Sequence, residues 1–239
     1  GRKARRDEPD AWHLRLDNAD VTGLPGFEEG AWWVQDLSAS LPARLIGRGE
    51  GTALDLCAAP GGKTMQLASA GWKVTAVEMA AKRLARLSDN LARVNLSADL
   101  VEADVMRWEP QESADAVLLD APCSATGIFR RHPDVLHRVR PRAIAELAEV
   151  QRAMLARAGQ WVKPGGRLVY AVCSLEPQEG EEIASSFDTP GFAIDPVRPD
   201  ELPAGLIPNE QGFLRIPPGS LAQVGGCDGF FIARWRRDS

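Results

Sequence analysis

From residue 52 the chain alternates short apolar runs with stretches whose apolar residues recur at helical spacing. The runs 52–57 (TALDLC), 73–78 (KVTAVE), 98–104 (ADLVEAD), 114–120 (ADAVLLD) and 166–174 (GRLVYAVCS) read as strands. Between them, 80–95 carries Leu84, Leu87, Leu91 and Val94 on one helical face, and a glycine-rich turn opens a helix at 63–70. A longer helix spans 141–162, with Pro141 in its first turn and the KPGG of 163–166 as its stop. Strands that are apolar almost throughout, separated by helices, predict an α/β fold. The sheet is doubly wound, mostly parallel and covered on both faces.

The two ends break this rhythm. Residues 191–195 (GFAID), 212–216 (GFLRI) and 228–235 (DGFFIARW) are strand-like but parted by Pro- and Gly-rich loops, which predicts an antiparallel C-terminal edge. Residues 26–46 (GFEEGAWWVQDLSASLPARLI) read as a turn followed by a helix. The expected division is an N-terminal linker and helical lead-in over 1–50 and a catalytic domain over 51–239.

At 239 residues and 44% apolar content, the chain suits one sizeable domain with a real core. It has no run of about 18 apolar residues, so no membrane span is expected. The start, GRKARRDEPD, is charged and not followed by an apolar segment, unlike a signal peptide; with no initiator Met, it reads as the cut end of a longer chain. Cys57, Cys123, Cys173 and Cys227 are widely spaced and form no C-x-x-C, which suits neither a zinc site nor a disulfide scaffold. A reduced, cytoplasmic, metal-free monomer is the expectation. The net charge of −5 argues against a surface coated with nucleic acid as a whole. Locally, 129–142 sets Arg130, Arg131, Arg138, Arg140 and Arg142 against the single acid Asp134. Such a run is either a solvated face or a phosphate-contacting one.

The loop 55–64 (DLCAAPGGKT) ends like a phosphate-binding P-loop. That motif needs a glycine five positions before Gly62, where Cys57 stands, and Pro60 removes a backbone amide that would face phosphate. Three carboxylates, Glu78, Asp104 and Asp120, fall at the ends of successive predicted strands. In open α/β sheets ligands bind beyond those ends. Three acids repel a triphosphate but suit a positively charged cofactor, with Glu78 placed for ribose hydroxyls and Asp104 for an adenine amino group. The pattern points to S-adenosyl-L-methionine, with a P-loop nucleotide triphosphatase as the distant alternative.

The segments 120–134 (DAPCSATGIFRRHPD) and 170–182 (YAVCSLEPQEGEE), taken with DLCAAPGGKT and DGFFIARW, resemble the RNA 5-methylcytosine methyltransferases. Within these, the likeness is to the bacterial small-subunit ribosomal RNA methyltransferase B type, and it covers nearly the whole chain. The resemblance implies a Rossmann-like class I S-adenosylmethionine-dependent methyltransferase sheet. It implies cofactor contacts from Cys57, Ala58, Ala59, Pro60, Gly61, Gly62 and Lys63, with Glu78, Arg83, Asp104 and Asp120. It also implies Cys173 as the nucleophile; Cys123, Asp120 and Lys63 are the other expected catalytic groups, on the chemistry that follows. The implied partner is RNA, with ribosomal RNA first and transfer RNA as the nearer alternative. Arg130, Arg131, His132, Arg138 and Arg140 are the expected RNA contacts. One departure is visible: Val172 stands where the family usually has Thr. Members of the group usually carry an N-terminal helical RNA-binding domain, and GRKARR would then be the end of its linker.

The chemistry explains the residue types. Carbon 5 of cytosine becomes nucleophilic only after a thiolate adds at carbon 6, so a cysteine with a nearby base or a depressed pKa is required. Asp120 is placed to protonate ring nitrogen N3, Lys63 to position Asp120 or a backbone carbonyl, and Cys123, or a water beside it, to remove the carbon-5 proton. Spacing alone does not rank the two strand-end thiols, and the opposite assignment makes Cys123 the attacking sulfur. The target base must leave its stack, which favours single-stranded or looped RNA.

Overall fold

The apolar runs become strands because their side chains are buried from both sides. In the computed structural model, which describes residues 20–239, β1 (Thr52–Leu56), β2 (Lys73–Glu78), β3 (Asp99–Glu102), β4 (Ala114–Asp120) and β5 (Val162–Val172) run parallel in the order β3-β2-β1-β4-β5. The GRKARR segment lies outside the described residues. The antiparallel finish is present: β8 (Phe230–Arg237) pairs with β5, and the short β6 (Phe192–Ile194) and β7 (Leu214–Ile216) both pair with β8.

Alternation along the strands divides the core. In β4, Val117 and Leu119 face one layer with Tyr170, Val172 and Phe231, and α5 (Pro141–Gln160), which follows the short α4 (Val135–Arg138), covers it with Ala148, Met154, Leu155 and Ala158. Beside it, α6 (Glu181–Ser186) adds Ile183 and Ala184. On the opposite face Ala116, Leu118, Val169 and Ile232 meet Leu41, Leu45 and Ile46 of α1 (Leu37–Ile46) and Leu67 of α2 (Gly62–Ser69). Further along that face, α3 (Ala81–Arg93) seals Ala76 with Leu87 and Leu91. Each fully buried leucine contributes about 1.5–3 kcal/mol relative to exposure. The lead-in helix α1 is therefore packed into the core of the sheet. It starts at Asp36, whose carboxylate accepts from the Ser38 amide at 3.0 Å, and ends at Gly47 with φ 82°.

One boundary differs from the sequence reading. The long helix stops at Gln160, and KPGG belongs to β5, which begins at Val162. Ala114 pairs with Val162 and Ala116 with Arg167, so the Pro-Gly-Gly stretch is an irregularity in the ladder and not a helix stop.

The order of strands reverses between β1 and β4, which are hydrogen-bonded neighbours whose chains continue outward in opposite directions across the sheet. Their carboxyl ends carry Cys57 and Asp120, so the crevice outside this switch point is where a ligand belongs.

Candidate active site

At the end of β1, Cys57 adopts φ 62°, and Gly61 follows with φ 104° as the N-cap of α2. A side chain at Gly61 would also press within 2.9 Å of Leu87 in α3. The loop thus turns sharply and lets α3 approach closely. Arg83 braces it from α3: its Nη2 donates to the Ala59 carbonyl at 2.7 Å and its Nη1 to Glu78 Oε1 at 3.4 Å.

Lys63 and Thr64, the residues a P-loop would aim at phosphate, point inward. Lys63 Nζ donates to Asp120 Oδ2 at 2.8 Å, and Thr64 Oγ1 donates to Asp55 Oδ2 at 2.6 Å beneath it. Burial lowers the Lys63 pKa, but the Asp120 carboxylate outweighs it and leaves the ammonium more firmly protonated than usual. Burial pushes Asp55 the other way, up to about 7. The contact expected between Lys63 and Asp120 is present, and the loop has no triphosphate cradle.

A cavity of about 220 Å³ opens at the switch point between Cys57, Glu78, Asp104, Asp120, Cys123 and Cys173, with Arg83 and Met154 at its walls. Glu78 is almost fully buried; Oε1 accepts from the Ala80 amide at 3.0 Å, while Oε2 is ion-paired with Arg83 Nη1 at 3.3 Å but accepts no hydrogen bond. That oxygen keeps room for a hydroxyl donor. Asp104 Oδ1 accepts from the Met106 amide at 2.9 Å. Of the expected cofactor loop, Cys57 lines the cavity; Ala58 and Ala59 pack into the core beneath it, and Pro60, Gly61 and Gly62 shape the turn. The Cys57 thiol is raised to about 12 by burial and by the surrounding Asp120, Glu78 and Asp55, so it stays protonated.

Cys123 follows β4 and Cys173 follows β5, and their sulfur atoms stand 3.5 Å apart. The hydrogen bond from Cys123 is the largest influence on Cys173 and lowers its pKa against the opposing effect of burial. The same bond, reinforced by burial, raises Cys123 well above the usual thiol range. Of the two sulfurs, Cys173 is thus the one whose surroundings favour the thiolate, and Cys123 the one whose surroundings favour the thiol. The two loops meet closely: Gly127 donates to the Cys173 carbonyl at 3.0 Å, and any side chain there would collide with Gly229.

The sequence reading missed the support behind this pair. Glu179, fully buried, accepts hydrogen bonds from both Ser124 and Ser174, the residues after the two cysteines. It missed also the partners of the basic run. Arg130 pairs with Asp36 at 3.1 Å, and Arg131 with the buried Asp228, joining the α1 cap to the loop before β8. Arg138 pairs with Asp134 at 2.8 Å, and Arg140 donates to the His137 and Val139 carbonyls. His132 is exposed. Arg138, Arg140 and His132 lie on the surface, whereas Arg130 and Arg131 are half-exposed and tied into the fold. Among the described residues there is no group of three or more His, Cys, Asp or Glu side chains able to hold a metal, and no helix long and apolar enough to cross a membrane.

Comparison with known proteins agrees with this arrangement. The chain is 45% identical over 234 residues to ribosomal RNA small subunit methyltransferase B of Klebsiella pneumoniae, covering 95% of this chain and 52% of that protein. It is 40% identical over 236 residues to the protein of the same name from Salmonella paratyphi B, with the same coverage. It spans about half the length of these curated relatives. The crystal structure of NSun6 from Pyrococcus horikoshii with SFG superposes with a TM-score of 0.80 at 26% identity, covering 93% of this chain and 57% of that one. Residues 44–236 match the family model for 16S rRNA methyltransferase RsmB/F, and with its doubly wound sheet and facing Cys-Ser loops the chain belongs to that family.

Proposed function

We propose that this chain is the catalytic part of an RNA cytosine-5 methyltransferase acting on small-subunit ribosomal RNA. The sheet and helices of 51–239 carry the chemistry, with α1 docked on them. The observation that carries the reading is the pair of thiols, 3.5 Å apart, at the wall of an acid-lined cavity. Family membership and the printed names of the relatives support the ribosomal substrate. The neighbour containing SFG, an analogue of S-adenosylmethionine, supports the cofactor.

The residues present fit that cofactor. Glu78 offers ribose hydroxyls a carboxylate oxygen that is ion-paired with Arg83 but accepts no hydrogen bond, Asp104 offers an acceptor for the adenine amino group, and Cys57 and Asp120 line the same cavity as the thiols. Bound there, S-adenosylmethionine supplies a methyl group on a positively charged sulfur, and the acid-lined wall suits that charge.

The chain's own groups then divide the work. Cys173 adds its sulfur to carbon 6 of the cytosine, and the ring electrons move toward N3, which takes a proton from Asp120 when that side chain is in its acid form. Lys63 holds Asp120 in place at 2.8 Å. Carbon 5, now enamine-like, is the atom that would receive the methyl group, leaving the cofactor as the neutral thioether S-adenosylhomocysteine. Removing the carbon-5 proton falls to Cys123, once it has given up its own proton, or to a water beside it; the sulfur–carbon 6 bond then breaks, N3 returns its proton to Asp120 and the Cys173 thiolate is restored. Free thiols throughout the described residues suit a reducing cytoplasm.

The test is direct. The chain is incubated with S-adenosylmethionine and either unmodified small-subunit ribosomal RNA or transfer RNA, and 5-methylcytosine is mapped. Methylation of a ribosomal position is expected. Methylation of transfer RNA alone would reassign the substrate, and a methylated base other than cytosine would overturn the reading.

A further inference from the structure

Each thiol heads a Cys-Ser pair, and one buried side chain reaches both serines. Glu179 accepts from the Ser124 amide at 2.9 Å, from the Ser124 hydroxyl, from the Ser174 hydroxyl at 2.5 Å and from Gln151 Nε2 at 3.0 Å. Four converging donors are the surroundings of an ionised carboxylate, which has only acceptors. The group is anchored from behind, because Tyr170 donates its hydroxyl to the Glu179 carbonyl at 2.6 Å. Gln151, from α5, also donates to the carbonyl of Pro122, the residue before Cys123, at 2.9 Å. A network so fully paired holds its members in one arrangement, and losing the acceptor strands several buried donors at once.

We propose that Glu179 is a positioning residue for the thiol pair. Its carboxylate ties the Cys123 and Cys173 loops together through Ser124 and Ser174, and its charge biases the pair toward Cys123 as donor and Cys173 as acceptor.

The charges around the pair are arranged for this. Glu179, which reaches the residue after Cys123 through Ser124, disfavours a negative charge on the Cys123 thiol. Around Cys173 the opposing effect of Asp120 exceeds the help of Lys63, so what favours its thiolate is the hydrogen bond with Cys123. The bias within the pair therefore comes from the Cys123 side, through Glu179. The consequence for catalysis rests on the methyltransferase reading above; the effect on the thiols does not.

Iodoacetamide labelling, read at early times by peptide mass spectrometry, tests it without RNA. In the unmodified chain Cys173 should label ahead of Cys123, and equal labelling would overturn the proposal. In Glu179→Gln, which keeps the reach and loses the charge, the preference for Cys173 should fall about tenfold, the effect of one pKa unit. Glu179→Asp should recover most of it. An unchanged preference in Glu179→Gln, with a normal melting transition, would also overturn it. If Glu179→Gln fails to fold, Ser124→Ala carries the test, since it keeps the carboxylate and removes one tie. Diamide, a two-electron oxidant that takes one hydrogen from each thiol, should then form the Cys123–Cys173 disulfide about fivefold more slowly because the sulfurs are less well held. An unchanged rate would refute the tie. Because neither readout needs RNA or cofactor, a chain that failed to methylate RNA would remove the functional reading and leave this result standing.

Discussion

Cys123 and Cys173 are 50 positions apart in the chain, yet their sulfur atoms lie 3.5 Å from each other. The sheet brings this about: β4 and β5 are parallel neighbours, so their carboxyl ends, and the Cys-Ser pair after each, emerge side by side. Glycine at 127 then lets the first loop lie against the second.

In the proposed reading, cofactor affinity depends on the acids across the cavity. Glu78→Ala and Asp104→Ala should each weaken S-adenosylmethionine binding by about 1–3 kcal/mol, the cost of a lost hydrogen bond to a polar group. Calorimetry without RNA measures it, and ATP should give no saturable heat. Unchanged affinity in both variants would place the cofactor elsewhere.

The basic run separates into two kinds of arginine. Arg131→Ala should lower stability by about 1–3 kcal/mol, because it removes a partner from the buried Asp228, and a lower melting temperature is the readout. Arg138→Ala with Arg140→Ala should leave melting nearly unchanged but weaken RNA binding and flatten its salt dependence. A salt slope identical to that of the parent chain would make these residues a solvated face.

Much of this was legible because it depends on pattern. Apolar continuity located β1, β2 and β4 to within a residue, and acids at successive strand ends anticipated the cavity wall. KPGG was misread because a Pro-Gly-Gly stretch stops a helix and breaks a ladder equally well; only the pairing of Ala114 with Val162 distinguishes them. Glu179 was hidden among Glu176, Glu181 and Glu182, since nothing in their spacing tells which one turns inward. Asp36 and Asp228 were invisible as partners of the arginines because they come from opposite ends of the described chain.

Asp55 gives the fold a pH signature. Its native pKa, raised to about 7, lies above its unfolded value near 3.8, so the folded state binds the extra proton between them. Stability contributed through this group is therefore greatest below about pH 4 and declines as pH rises toward about 7, by the linkage relation. Asp55→Asn keeps the shape, retains an acceptor for Thr64 and removes the titration. The fall in melting temperature between pH 5 and pH 7.5 should be smaller in the variant than in the parent. Equal falls would mean that Asp55 is ionised in the native protein.

The two cysteines should fail in different ways. Cys173→Ala removes the proposed attacking sulfur, so neither methylation nor a covalent RNA complex should form. Cys123→Ala leaves the attack possible but takes away the group placed to clear the carbon-5 proton, so the sulfur–carbon bond cannot break. A protein–RNA species should then accumulate, visible on a denaturing gel as a slow band that ribonuclease collapses. The double variant should show none if, as proposed, the bond is made by Cys173. Losing Cys123 also removes the hydrogen bond that most lowers the Cys173 pKa, so the band should form more slowly at neutral pH and faster as pH rises. A band in Cys173→Ala that disappears in Cys123→Ala would reverse the two roles, and the gel distinguishes these outcomes without any measurement of turnover.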